Sequence, residues 1–117
     1  MSPSDTSGMS LFEYHVLLAL ASGPLHGYAI KDVVATESSG TLTPRAGSLY
    51  RVLARLMTAG LITDAEPAGS HEPHPGLARK YYGLTRGGRT ALAAEASRLK
   101  RAATMAEKRL GVSPSRS

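Results

Sequence analysis

Apolar residues recur three and four positions apart in several stretches of the chain, and this period predicts four helices. The first helix begins after Ser10, which can cap it together with Glu13 three residues later. Its apolar positions run from Leu11 to Ala21, and the Ser-Gly-Pro sequence at residues 22–24 ends it. The chain is therefore expected to open with a capped helix.

The next two helices are separated by a short connection. The second begins near Gly27 and ends in the Ser-Ser-Gly sequence at residues 38–40. The third follows Pro44 and ends at Gly60, a residue type that is common at helix ends. Its core-facing side is an apolar stripe of Leu49, Val52, Leu53 and Leu56. Its opposite side carries small residues and two arginines: Gly47, Ser48, Arg51, Ala54 and Arg55.

Two short strand patterns follow the third helix, at residues 61–66 and 80–84, and the second contains two adjacent tyrosines. Residues 67–78 between them contain three prolines and two glycines, which predicts a loop at the tip of a hairpin. Thr85 can then cap a last helix over residues 87–110. The predicted fold class is mainly α with a small β-hairpin.

The last helix has apolar residues alternately four and three positions apart, which is the heptad spacing of a helix that packs against another helix. This seam consists of Leu92, Ala96, Leu99, Ala103, Ala106 and Leu110. In a monomer the seam would leave an apolar stripe in water. We therefore predict a homodimer, in which the first helix helps to cover the seam.

Composition and charge limit the class of binding partner and the cellular compartment that can be expected. The 117 residues are expected to form one domain, and their net charge of +5 is uneven, with −3 through Pro44 and +8 from Arg45 onward. A basic region of this size favours a polyanionic partner. The absence of Cys excludes disulfides, thiolate metal sites and a cysteine nucleophile. Because no apolar run approaches the ~18 residues of a membrane span and the N-terminus lacks signal-peptide features, a cytoplasmic protein is expected.

The order of elements is typical of a winged helix-turn-helix, which places its second helix in the major groove of DNA. On the third helix of this chain, small side chains would allow the backbone close to DNA. Arg51 and Arg55 could bond phosphates or guanine edges. The same arginines could instead form a solvated face, so their spacing alone leaves both interpretations open.

Three sequence motifs make the interpretation more specific. They are GPLHGYAI at residues 23–30, GSLYRVL at residues 47–53 and RKYYGLT at residues 79–85. In this order and spacing they resemble the PadR-type transcriptional regulators over most of the chain. The single C-terminal helix resembles that family's smaller subgroup. The resemblance implies a winged-helix homodimer that binds operator DNA, usually as a repressor.

In the family, the residues that match Tyr28, Ser48, Tyr50, Arg79 and Lys80 lie at or near DNA. The full set of expected DNA-binding residues in this chain is Tyr28, Lys31, Arg45, Gly47, Ser48, Tyr50, Arg51, Arg55, Arg79 and Lys80. The expected dimer interface, from the first and last helices, comprises Leu11, Tyr14, Leu18, Leu92, Ala96, Leu99, Ala103, Ala106 and Leu110.

Four segments are expected: a disordered tail at residues 1–9, a DNA-binding domain at 10–86, a dimerisation helix at 87–111 and a second disordered tail at 112–117. A two-fold dimer presents two copies of the third helix to one face of the duplex, so an inverted-repeat operator is expected. The expected function is therefore sequence-specific transcriptional regulation, as a repressor bound to double-stranded DNA.

Other functions have less support in the sequence. There is no Ser–His–Asp set, Gly-rich phosphate loop or carboxylate cluster, so neither catalysis nor a cofactor is expected. His71 and His74 lie in a Pro-rich loop without a third ligand, so no metal site is expected. The alternative is a winged-helix module that binds protein without specific DNA binding. The sequence identifies no small-molecule effector, and the absence of Trp removes the drug-binding aromatic pair of some relatives.

Overall fold

The computed structural model describes residues 9–66 and 80–112. The elements in chain order are α1 (Leu11–Leu20), β1 (Leu25–His26), α2 (Gly27–Glu37), α3 (Ala46–Thr58), β2 (Ile62–Ala65), β3 (Tyr81–Leu84) and α4 (Arg86–Leu110). The four helices, β2 and β3 lie where the sequence pattern predicted them. The fold is mainly α with a small antiparallel sheet, as expected.

Side-chain caps define where three of the helices begin. Ser10 and Glu13 form the predicted capping box at the start of α1, with each side chain bonded to the other residue's backbone amide. Thr85 caps α4 through its hydroxyl, as predicted. His26 caps α2, because its Nδ1 accepts from the backbone amide three residues on at 3.2 Å. By contrast, α3 begins at Arg45 without a side-chain cap.

The buried core is built from the apolar faces of α1, α2 and α3 together with the sheet. It includes the predicted stripe of α3 and further residues of α1 and α2, among them Val16, Leu17, Leu20, Ile30, Leu49, Val52, Leu53, Leu56 and Ile62. The α3 stripe is buried because α3 has its apolar residues on one side only, and this side faces the shared core, with α2 and β2 packed against the helix. The opposite side of α3 is consequently left at the molecular surface.

The sheet has three strands rather than the two of the expected hairpin. The strand order is β1-β3-β2, both pairs are antiparallel, and Leu25 pairs with Tyr82 in β1–β3. His26 is the N-cap residue of α2 and has the extended backbone angles φ −84° and ψ 165° that such a residue typically adopts. This extended backbone allows β1 to pair with β3. Two residues are too few to show a strand period, so only the approach of β3 reveals this strand.

The first part of α4 belongs to the same packed body as the preceding helices. Gly88 is buried against the backbone carbonyl of Leu61, and Leu92 packs against the core. Glu95 is buried and pairs with Arg98 through two hydrogen bonds of 2.6 and 3.1 Å. Beyond this point α4 leaves the core, and the C-terminal half of the helix is largely exposed.

The expected disordered tails lie mostly outside the described residues. Their innermost residues have defined contacts, since Met9 packs against the core and the Val112 amide donates to the Glu107 carbonyl at 3.0 Å. The tail bounds of residues 1–9 and 112–117 stay a prediction. In the part of the chain that the structure covers, no helix combines the length and the apolar character needed to cross a membrane.

Candidate nucleic-acid interface

Tyr50 of α3 lies against the beginning of α2. Gly27 is buried there, and a Cβ atom on Gly27 would lie 2.5 Å from the Tyr50 hydroxyl oxygen and 3.0 Å from the ring carbon that carries it. The glycine therefore makes room for the phenol. Because half of Tyr50 remains exposed, the ring links the two helices of the helix-turn-helix while still facing solvent.

Tyr28, the second residue of α2, is 66% exposed. The Lys31 ammonium lies 5.5 Å from the centroid of its ring, one helical turn further on, within cation–π range. Three of the expected DNA-binding residues, Tyr28, Lys31 and Tyr50, thus surround the positive end of the α2 dipole. This arrangement is suited to an anion such as a phosphate.

The exposed side of α3 carries Arg51 in its centre. The guanidinium lies back along the helix, with Nη2 3.5 Å from the Ser48 hydroxyl and Nη1 4.0 Å from the position that a Cβ on Gly47 would take. Among the described residues, no carboxylate lies within ion-pair distance of Arg51. Without an internal ion pair, and with Gly47 and Ser48 as its neighbours one turn back, the Arg51 guanidinium is open to a ligand.

Arg45 lies at the exposed beginning of α3, beside an open cavity of about 330 Å³. The cavity is lined by Phe12, Thr41, Leu42, Thr43, Pro44, Arg45 and Ser48. Because α3 has no side-chain cap, its first backbone amides add a partial positive charge to that of Arg45.

Arg55 has a different environment from Arg51, although both lie on the same helix. Its Nε donates to Glu13 of α1 at 2.8 Å, and the Arg55 side chain is 59% exposed while that of Glu13 is 15% exposed. Burial acts to raise the pKa of Glu13. The hydrogen bond from the Ser10 backbone and the Arg55 guanidinium outweigh it, so this pKa lies below its ordinary value. Arg55, expected to bind DNA, is thus bonded within the protein.

The described strands of the wing are β2 and β3, and Lys80 immediately precedes β3. Its ammonium lies 3.3 Å from Asp64 across the β2–β3 pair and 5.7 Å from the centroid of the Tyr82 ring. Burial raises the pKa of the Tyr82 phenol, against the opposing charge of Lys80. Lys80 is exposed and could exchange its carboxylate partner for a phosphate. Arg79, the other expected wing contact, lies outside the described residues.

Several residues that shape this surface carried no clear signal in the sequence. His26 is not among the residue types that usually cap helices, so its role at α2 was not predicted. Glu13 was assigned only to the capping box, because its second partner is 42 positions away. Asp64 and the packing role of Gly27 likewise depend on strands and helices that meet only in the folded chain.

The residues expected at the dimer interface differ in how far their own chain buries them. Leu92 packs against the core of its own chain, whereas Leu11 and Leu110 are 53% and 74% exposed. Tyr14 and Leu18 of α1 and Ala96 and Leu99 of α4 are half-buried. Ala103 and Ala106 are exposed. The outer part of the predicted seam is therefore open to a partner.

His15, next to Tyr14 on α1, has a buried Nδ1 without a hydrogen-bond partner among the described residues. The two rings meet edge to face, with centroids 5.8 Å apart. Within residues 9–66 and 80–112, no three His, Asp or Glu side chains come close enough to hold a metal ion. The histidines of the wing tip lie outside those residues.

Comparison with known proteins assigns the chain to a family. Residues 16–94, more than half of the chain, match the Transcriptional regulator PadR-like family. The chain belongs to this family. The matched region contains α2, α3 and the beginning of α4, so it includes most of the surface described above and the first residue of the predicted seam.

This PadR-like chain also resembles a 37.1 kDa protein of transposon TN4556 from Streptomyces fradiae. The two are 42% identical over 86 residues, which cover 74% of this chain and 22% of that protein. The aligned part of the chain spans about a fifth of the length of that relative.

Solved structures share the fold. A PadR family transcription regulator from Clostridium difficile matches with a TM-score of 0.70 and 22% identity, over 86% of this chain and 99% of that one. Bacillus subtilis PadR, solved in complex with operator DNA, matches with a TM-score of 0.59 and 26% identity, over 73% of this chain and 46% of that one. A PadR-like regulator from Bacillus cereus matches with a TM-score of 0.70 and 23% identity, over 86% and 91% of the two chains.

Proposed function

We propose that this PadR-like protein is a sequence-specific DNA-binding repressor that binds an inverted-repeat operator as a homodimer in the cytoplasm. The observation that carries the proposal is the exposed side of α3. There Arg51 extends over Gly47 and Ser48 without a carboxylate partner in the described part of the chain. Of the two arginines on this side, Arg51 has no internal charge to satisfy in the described part of the chain, whereas Arg55 is paired with Glu13. These are the properties of a helix that enters the major groove.

In this proposal Arg51 reads a base. A guanidinium can donate two hydrogen bonds to O6 and N7 of one guanine, which discriminates against other bases by about 1–3 kcal/mol. The absence of a Cβ at Gly47 and the short side chain of Ser48 let the helix approach the base edges. Both residues support recognition by allowing this approach rather than by supplying charge.

The residues around the α2 N-terminus hold the DNA backbone. Tyr28 and Tyr50 would donate their hydroxyls to phosphates, and Lys31 would add charge beside them. Arg45 at the beginning of α3, with Lys80 and Arg79 of the wing, would extend this contact along the strand. Such contacts position the protein without reading the sequence.

Two further findings support DNA as the partner. The region from Arg45 onward carries the +8 net charge that attracts a polyanion. The structural neighbour from Bacillus subtilis was solved in complex with operator DNA and shares 26% of its residues with this chain over the matched region.

The homodimer follows from the exposed apolar residues of α4 and α1. Leu110 of α4 and Leu11 of α1 are more than half exposed, and the predicted seam along α4 has a heptad spacing. A second copy would cover the seam and would place two copies of α3 on one face of the duplex, about one helical turn apart. An operator of inverted half-sites matches this geometry, and occupancy of such a site near a promoter would block transcription.

The proposal is tested by selecting duplexes from a random pool with the purified protein and measuring the affinity of the selected sequence against salt. We expect enrichment of an inverted repeat. We also expect a slope of log affinity against log salt of about −5, for about three phosphates neutralised per subunit. If no sequence is enriched and DNA binding does not depend on salt, the chain is instead a protein-interaction module. A promoter that carries the selected site upstream of a reporter then tests repression.

A further inference from the structure

The hydrogen bond between Glu13 and Arg55 joins the first turn of α1 to the last turn of α3. Both oxygens of the carboxylate are used, since one accepts from the Arg55 Nε at 2.8 Å and the other from the Ser10 backbone amide at 2.9 Å. A negative charge at a helix N-terminus and a positive charge at a helix C-terminus each interact favourably with the helix dipole. The pair is therefore placed where each helix favours its charge.

For Arg55 to reach a phosphate, it would have to leave Glu13. The Glu13 side chain is only 15% exposed, so water would replace the guanidinium poorly. Arg51, one turn earlier on the same side of α3, meets no such carboxylate in the described part of the chain and has only a 3.5 Å contact with a hydroxyl. Arg55 would therefore have to break an internal ion pair to bind DNA, whereas Arg51 would not.

We propose that Arg55 does not contact DNA, and that the Glu13–Arg55 pair is a positioning pair that sets the orientation of α3 relative to α1. This inference rests on the proposed function. In the proposed dimer, α1 borders the subunit interface and α3 reads the half-site. An orientation fixed between these two helices would set the distance and angle between the two copies of α3.

The consequence for DNA binding is a preference for one half-site spacing. With the pair intact, the two copies of α3 fit half-sites at one separation. Without the pair, α3 is held by apolar packing, chiefly against α2 and β2, which is non-directional and tolerates small rotations. Loss of the pair is therefore expected to weaken binding to the preferred operator more than binding to operators whose spacing differs by about one base pair.

Glu13→Gln is a suitable variant for this test, because it changes the charge of the side chain and little else. Glutamine at this position still completes a capping box, so α1 retains its cap while the charge that holds Arg55 is removed. Arg55→Gln removes the other charge of the pair, and the double variant removes both. If the residues act through each other, the double variant loses no more than either single variant.

The experiment uses the full chain and the operator selected by the wild-type protein. Affinity is measured on that operator, on versions with one base pair added or removed between the half-sites, and as a function of salt. Circular dichroism identifies a temperature at which every variant is folded. Either single variant should bind the operator about threefold to tenfold more weakly, because a partly exposed charged hydrogen bond is lost twice per dimer. The spacing preference should fall, and the salt slope should not change.

Two results would overturn the inference. The first is that Arg55→Gln flattens the salt slope by about one unit per contact while Glu13→Gln binds as tightly as wild type, which identifies Arg55 as a phosphate contact. The second is that both variants keep the wild-type spacing preference at the folded temperature, which reduces the pair to a stabilising contact. A failure of the proposed function is distinct, because the wild-type protein would then select no operator.

Discussion

The phenol of Tyr50 occupies the space in which Gly27 would carry a Cβ atom, 2.5 Å from the Tyr50 hydroxyl oxygen. Gly27→Ala must therefore displace Tyr50, whose exposed ring can move without disturbing the core. We expect stability to change by less than about 1 kcal/mol and DNA affinity to fall, because a proposed phosphate contact moves.

Comparison with Tyr50→Ala separates the two effects of the glycine substitution. If Gly27→Ala acts by displacing Tyr50, the double variant should bind DNA no more weakly than Tyr50→Ala alone. Additive losses, measured by fluorescence anisotropy on the selected operator, would show that Gly27 acts independently of Tyr50.

Gly88 differs from Gly27, because the atom that a Cβ would meet there belongs to the backbone rather than to a movable side chain. A Cβ at this position would collide with the Leu61 carbonyl, whereas a Cβ at Gly87 would lie 3.5 Å from the nearest atom. We expect Gly88→Ala to lower the free energy of unfolding by about 1–3 kcal/mol, as overpacked sites do. Gly87→Ala should leave it unchanged or slightly higher. Urea unfolding of both variants measures the contrast, and equal stabilities would contradict the close packing of α4 on Leu61.

The lowered pKa of Glu13 predicts how the pair with Arg55 depends on pH. A carboxyl whose pKa is lower in the folded than in the unfolded state stabilises the fold above the unfolded pKa, which is about 4.5. This contribution is lost as the pH falls through the lower folded value. The difference in unfolding free energy between wild type and Glu13→Gln should be constant near neutral pH and shrink below about pH 4.5. A difference that stays constant into strong acid would show that the carboxylate charge has no role.

Removing the Arg51 side chain and removing the Lys80 side chain are predicted to change DNA binding in different ways. Arg51→Ala should relax base preference at one position of each half-site, because a bidentate guanine contact is lost. Lys80→Ala should weaken all duplexes about equally and flatten the salt slope by about one unit per contact. A panel of single-base operator variants distinguishes them. A uniform loss of affinity across the panel with Arg51→Ala would exclude its role as a base reader.

Leu110 tests the dimer without disturbing the fold of one subunit, since it is 74% exposed in the single chain. Leu110→Asp should shift the protein from dimer to monomer in sedimentation at micromolar concentration, and Leu99→Asp, nearer the centre of the seam, should do so more strongly. Met105→Asp is the matched control, because Met105 is 48% exposed but lies on another side of α4. A wild-type protein that is monomeric at this concentration would contradict the predicted homodimer.

Local patterns in the sequence were enough to predict the four helices, β2, β3 and the residue types of the candidate site. The capping box of Ser10 and Glu13, the apolar stripe of α3 and the strand patterns on both sides of the wing loop are all local, so residues a few positions apart carry the signal. The three motifs at residues 23–30, 47–53 and 79–85 jointly indicated the family. The order of the four helices and of β2 and β3 was correctly predicted for the same reason, whereas β1 was not predicted.

Long-range contacts in the folded chain determine which charged groups remain open to a ligand. Arg51 and Arg55 look equivalent in the sequence, yet Glu13 bonds one of them from 42 positions away. The third strand, the fit of Tyr50 over Gly27 and the burial of Glu95 are also contacts between segments distant in the chain. Local periodicity cannot encode such contacts, because they depend on which surfaces meet when the apolar faces pack together.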